Sequence, residues 1–116
     1  IWSTSTFSLM IDQTVGINAQ ALTPDEFVLN QNFPNPFNPT TTIRYGLPEV
    51  TDVSVIIYDL KGREIRFWSF DSQSAGWYNL AWQGDSQRGE QFGTGLYFCR
   101  IVAGEYSKTI KMIYMK

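Results

Sequence analysis

Val53-Ser54-Val55-Ile56-Ile57-Tyr58, with Asp59-Leu60-Lys61-Gly62-Arg63 behind it and residues 64–70 beyond, decides the fold. The first run is rich in β-branched residues and nearly continuous in apolar ones, which marks a central strand. Residues 59–63 carry turn chemistry, and Gly62 can take the positive φ that a side chain resists. Residues 64–70 then read as the hairpin partner.

The same period repeats outward from this hairpin. Upstream, Thr41, Ile43, Tyr45 and Leu47 share one face of an alternating segment that Pro48 ends. Downstream, Ala75-Gly76 opens a strand over residues 77–82, with Tyr78, Leu80 and Trp82 on one face and reading as core. Gly84, Gly89, Gly93 and Gly95 mark a long loop. Residues 96–102 and 106–115 form a last hairpin across Ala103-Gly104-Glu105. No window of residues 27–116 sustains a helical period free of Gly and Pro. About seven short strands at this spacing predict an all-β, immunoglobulin-like antiparallel β-sandwich.

Composition agrees with one such domain. The chain has 116 residues, 43% hydrophobic and 17% charged, which favours a globular core over disorder. Residues 27–116 read as the domain. Residues 1–26 read as an N-terminal extended segment and linker, with Phe7, Leu9 and Ile11 alternating against Thr4, Thr6 and Ser8. The chain begins with Ile1, as a fragment or processed product would.

A net charge of −2 lacks the basic footprint of a nucleic-acid binder, so no nucleic-acid partner is expected. No stretch approaches the roughly 20 apolar residues of a membrane span. The sequence contains no histidine, which removes His-based metal sites and the common Ser-His and Cys-His nucleophiles. Asp71, Asp85 and Glu90 lack the spacing of a calcium loop. The single cysteine, Cys99, sits in an apolar strand-like run and reads as a small buried hydrophobe. The expectation is a non-catalytic module without metal or cofactor.

The most unusual segment is Asn32-Phe33-Pro34-Asn35-Pro36-Phe37-Asn38-Pro39-Thr40. Its three prolines delete three backbone donors and push the residues before them toward extended conformation. A rigid lead-in is expected, with Phe33 and Phe37 docked on the core edge and the asparagines bonded back to the loop's own backbone. A stiff surface tag is the functional alternative.

With that segment in place, the chain resembles a known family. LNQNFPNPFNPTTTIRYGLP (29–48), VSVIIYDLKGREI (53–65), AGWYNLAWQG (75–84), GTGLYFCRI (93–101) and KTIKMIYMK (108–116) occur in order. Together they look like the C-terminal sorting domain of the type IX secretion system. A similar pattern occurs in the immunoglobulin-like domain of flagellar hook-capping proteins. The resemblance implies a seven-stranded sandwich on an exported protein, secreted or held at the surface of a Gram-negative cell, and an outer-membrane secretion machine as partner. It also implies that sorting information lies in the last hairpin, at Gly104, Lys108, Lys111, Met112 and Lys116. Two features depart from the pattern: Gln83 stands where an acid or Asn usually follows the motif Trp, and only the 26-residue extension stands ahead of the domain in this sequence, where a large cargo is expected.

The residues support other readings of the same surfaces. Lys108 and Lys111 fit the guarding of an edge strand against sheet-to-sheet pairing. Phe7, Leu9 and Ile11 could enter a neighbour's sheet as a donor strand, building a homo-oligomer or filament. Trp68, Trp77 and Trp82 could offer a platform for carbohydrate.

Overall fold

The computed structural model describes residues 23–116. Seven strands appear in the order β1 (Val28–Leu29), β2 (Thr41–Leu47), β3 (Thr51–Tyr58), β4 (Glu64–Gln73), β5 (Gly76–Trp82), β6 (Gly95–Ala103) and β7 (Tyr106–Tyr114). They form two antiparallel sheets, β1-β2-β5 and β4-β3-β6-β7, packed as an immunoglobulin-like sandwich. In a constant-type immunoglobulin domain the fourth strand extends the first sheet. Here β4 pairs with β3, which gives a three-plus-four division. Among the described residues no helix is long and apolar enough to cross a membrane.

Alternation builds the core. Ile43, Tyr45 and Leu47 of β2 face Val53, Val55 and Ile57 of β3, Cys99 and Ile101 of β6, and Met112 and Tyr114 of β7, all buried. Each aliphatic side chain so enclosed contributes roughly 1.5–3 kcal/mol against the chain entropy lost on folding. The β3 run is nearly continuous in apolar residues, yet Ser54, Ile56 and Tyr58 lie on the opposite, half-buried face. Tyr78 and Leu80 are half-buried against the core rather than fully within it, because β5 is the edge strand of the smaller sheet.

Local chemistry sets the turns. Gly62 takes φ 85° between β3 and β4, where the Asp59 carboxylate accepts from the Lys61 and Arg63 amides. Those amides, the Arg63 one foremost, hold the Asp59 carboxyl below its ordinary range. β4 is longer than the expected partner strand, running to Gln73 past a register shift. Its last residue receives a 2.7 Å bond from the Tyr45 hydroxyl, joining the two sheets. Burial pushes that hydroxyl's pKa up to about 12, with the Gln73 bond opposing the rise.

β1 is the strand that periodicity did not reveal. Two paired residues carry no readable period, and the rest of residues 30–33 follows β2 through Asn30 N to Arg44 O (3.0 Å) and a paired bridge between Phe33 and Thr42.

Candidate functional site

The residues singled out in the last hairpin all belong to, or border, β7, the outer strand of the four-stranded sheet. Gly104 sits first in the two-residue turn between β6 and β7, at φ 60°. A Cβ there would meet only Thr51 Cγ2 at 3.5 Å, so backbone conformation rather than space favours glycine. Lys108 follows the inward parity of Ile110, Met112 and Tyr114, but at the rim. Its Nζ reaches 3.1 Å to the Leu29 carbonyl of β1 and so ties the two sheets. Lys111 is exposed on the outer face, and its backbone carbonyl accepts from Gln31 Nε2 at 2.7 Å. Met112 is wholly buried and serves the core. Lys116 is exposed, and its amide donates to Thr94 Oγ1 at 2.9 Å.

The proline-rich lead-in closes the outer edge of β7. Phe37 N donates to Ile113 O (2.9 Å), Met115 N donates to Phe37 O (3.0 Å), and Ile113 N donates to Asn35 Oδ1 (2.9 Å). With the Gln31 bond to Lys111 O, four backbone groups of that edge are occupied: the Lys111 carbonyl, both groups of Ile113 and the Met115 amide. An edge strand covered in this way cannot template pairing along its covered half. The lead-in stops short of Ser107 and Thr109, which share the same edge.

Phe37 anchors the lead-in as expected. It is buried, stacked on Tyr114 at 4.7 Å and tilted against Trp82 at 5.5 Å. Phe33 does not dock: it is 79% exposed, because its backbone pairs with Thr42 and turns the ring outward. The asparagines also divide differently from expectation. Asn32 is buried and donates to Pro34 O (3.2 Å) in the lead-in and to Thr41 Oγ1 (2.9 Å) at the start of β2. Asn35 instead reaches the last strand. Pro34, Pro36, Asn38 and Pro39 are exposed, and the three X-Pro bonds at 34, 36 and 39 are cis. Phe7, Leu9 and Ile11 lie outside the described residues.

Residues 83–94 hold the far end of β7, and this contact has no sequence signal. Gln91 Nε2 bonds Gln83 O (2.8 Å), Gly84 O (3.2 Å) and the Tyr114 hydroxyl (3.0 Å). Trp82 Nε1 donates to Asp85 O at 2.8 Å. The acid of this turn is Asp85, whose carboxylate pairs with Arg66 at 3.0 Å. Glu90 bonds Ser86.

Trp82 is in the core, so it offers no platform. Trp68 and Trp77 are half-buried, and each already has a guanidinium on its ring: Arg66 at 4.8 Å and Arg44 at 4.5 Å. A groove lined by Arg63, Arg66, Ser86, Gln87 and Phe92 runs beside β4. Cys99 is buried, and burial pushes its thiol up to about 12, far from the thiolate a nucleophile needs.

A two-sheet antiparallel sandwich with these turns is an immunoglobulin-like domain. Residues 37–107 match the FlgD Ig-like domain family, and the chain belongs to that family. Among solved structures it is similar to dimeric latent PorU from Porphyromonas gingivalis, with 26% identity, TM-score 0.59, and coverage of 77% of this chain and 9% of PorU. It is also similar to FlgD from P. aeruginosa, with 25% identity, TM-score 0.50, and coverage of 64% and 57%. PorZ, described as an essential surface component of the type IX secretion system of P. gingivalis, shares the fold at 21% identity and TM-score 0.52, over 84% of this chain and 12% of PorZ. The chain thus spans about a tenth of PorU and PorZ and little over half of FlgD. No curated protein matches it.

Proposed function

We propose that this domain is a non-catalytic sorting module that directs its chain through a type IX secretion machine to the cell surface. The supporting observation is the construction of β7. Its inward residues Met112 and Tyr114 complete the core, while Lys111, Ile113, Met115 and Lys116 stand exposed on a strand locked in place by the lead-in. A receptor can therefore read the tail as a rigid surface on a folded domain rather than as a loose peptide, which lowers the entropy lost on binding. The family match ends at Ser107, so the reading of the tail itself rests on the resemblance of residues 108–116 to sorting domains. The likeness to a fold found in PorZ, a component of that secretion system, points the same way.

A reporter placed ahead of the full chain, expressed in a bacterium with a type IX system, tests this. The intact domain carries the reporter to the medium or the surface. Lys111→Ala with Lys116→Ala lowers export while the purified domain keeps its thermal midpoint. Export unchanged by that pair, or reporter retained with the intact domain, refutes the proposal.

A further inference from the structure

Four rows of cross-strand neighbours cross the outer face of the β4-β3-β6-β7 sheet. One row reads Lys111, Phe98, Tyr58, Glu64 in strand order β7, β6, β3, β4. Beside it runs Thr109, Arg100, Ile56, Phe67, and on the other side Ile113 pairs with Leu96. Directly opposed residues of neighbouring strands share a face, and the register shift between Arg66 and Glu64 returns Glu64 to the side of Phe67, so these side chains form one surface. Phe67 is 48% and Ile113 39% exposed, while Phe98, Tyr58, Ile56 and Leu96 are half-buried. The fourth row, Ser107, Val102, Ser54, Ser69, is mostly polar and bounds the patch.

The order of charge in the first row is antisymmetric: a base at one end, two aromatic rings between, an acid at the other. A two-fold axis lying along the strands and passing between β3 and β6 lays that row on its own reverse. Lys111 then meets Glu64 of the second copy, Phe98 meets its Tyr58, and the same contacts recur on the other side. We propose that this face binds a second copy of the chain in that arrangement. A single partner surface satisfies both charged ends at once, and aligned stacking is the ordinary way for two twisted sheets to meet.

The size of the patch sets the strength. Three strand spacings by six residues span about 14 by 20 Å, on the order of 400 Å² with side chains. That is about half the ~800 Å² per partner of a standard interface. An interface of that size falls in the weak, transient class, so the dimer forms where the protein is concentrated or tethered.

Sedimentation equilibrium on the full chain from about 10 µM to about 1 mM tests the interface. The parent chain is expected to pass from monomer to dimer across that range. Lys111→Glu alone and Glu64→Lys alone each oppose like charges and weaken association about tenfold. The two exchanges together return it to within about threefold of the parent. Both positions are exposed, so an unchanged thermal midpoint certifies the fold of each variant. A chain that stays monomeric throughout overturns the proposal. So does a dimer indifferent to either single exchange, or a double exchange no better than the singles. Lys111 and Ile113 also belong to the tail surface proposed for export, but sedimentation of the purified chain contains no secretion machinery and so reads the dimer alone.

Discussion

The Phe37 ring lies on the Tyr114 ring, 6° from parallel with centroids 4.7 Å apart, and 77 positions of sequence separate the two. The stack joins the lead-in to the last strand. It turns what the sequence presents as a stiff preamble into the element that closes the sandwich. Around it the Phe37 backbone both accepts and donates to β7, so ring and main chain hold the same junction.

Removing that ring tests how much of the domain depends on it. Phe37→Ala empties a fully buried site and is expected to cost about 3–5 kcal/mol, read as a lower urea midpoint at constant slope. The Met115 amide, bonded to Phe37 O, should exchange faster as the lead-in loosens. Phe33→Ala, at a ring 79% exposed, should move stability by less than about 0.5 kcal/mol. Equal losses from the two variants would show that Phe37 has no special anchoring role.

Gly84 also packs against the Tyr114 ring. It takes φ 70°, and a Cβ added there would run into the Tyr114 ring at Cε2 and Cζ. Gly84→Ala therefore meets both backbone strain and overpacking, and should destabilise by about 2–4 kcal/mol. Gly89 is at φ 88° but has open space around it, so Gly89→Ala should cost only the conformational part, about 1 kcal/mol. Thermal melts of the two variants side by side separate crowding from strain.

Legibility in the sequence tracks the range of the interaction. Thr41, Ile43, Tyr45 and Leu47 announce β2 because the period of a half-buried strand is local, and Gly62 announces its turn for the same reason. β1 has only two residues, too few for any period. The outward Phe33 was not readable, because its direction comes from pairing with Thr42, not from the prolines beside it. Lys108 bonds a carbonyl 79 residues away and Gln91 a hydroxyl 23 away, and no local pattern encodes either contact. The lysines could be placed on the closing strand from the sequence. The lead-in and loop that hold that strand could be seen only in three dimensions.

Stability should fall at alkaline pH through Cys99 and Tyr45. Burial raises both pKa values to about 12, above the roughly 8.5 and 10 of the unfolded chain. The folded state therefore keeps protons that the unfolded state releases. Their stabilisation is whole below pH ~8.5 and is lost as pH climbs toward 12. Cys99→Ala isolates the thiol, since other titrating groups are common to both chains. The stability gap between parent and variant should narrow from pH 8 to about pH 10.5. A gap that stays constant would mean that the thiol ionises alike in both states.

Truncating the tail probes folding before it probes recognition. Deleting residues 111–116 removes the buried Met112 and Tyr114, the partners of Phe37, and the carbonyl that Gln31 holds. Two large core side chains and the closing edge are together worth more than about 5 kcal/mol, as much as the whole stability of many small domains. The shortened chain should show no cooperative urea transition and should exchange its β6 amides freely. Loss of export by this deletion would then follow from loss of the fold alone. Lys111→Ala with Lys116→Ala leaves the core whole and should keep the urea midpoint within the range of an ordinary surface change, about 0.5 kcal/mol. A truncated chain that still unfolds cooperatively would mean that the sandwich closes without the second half of its last strand. The tail would then be free to act as a detachable peptide.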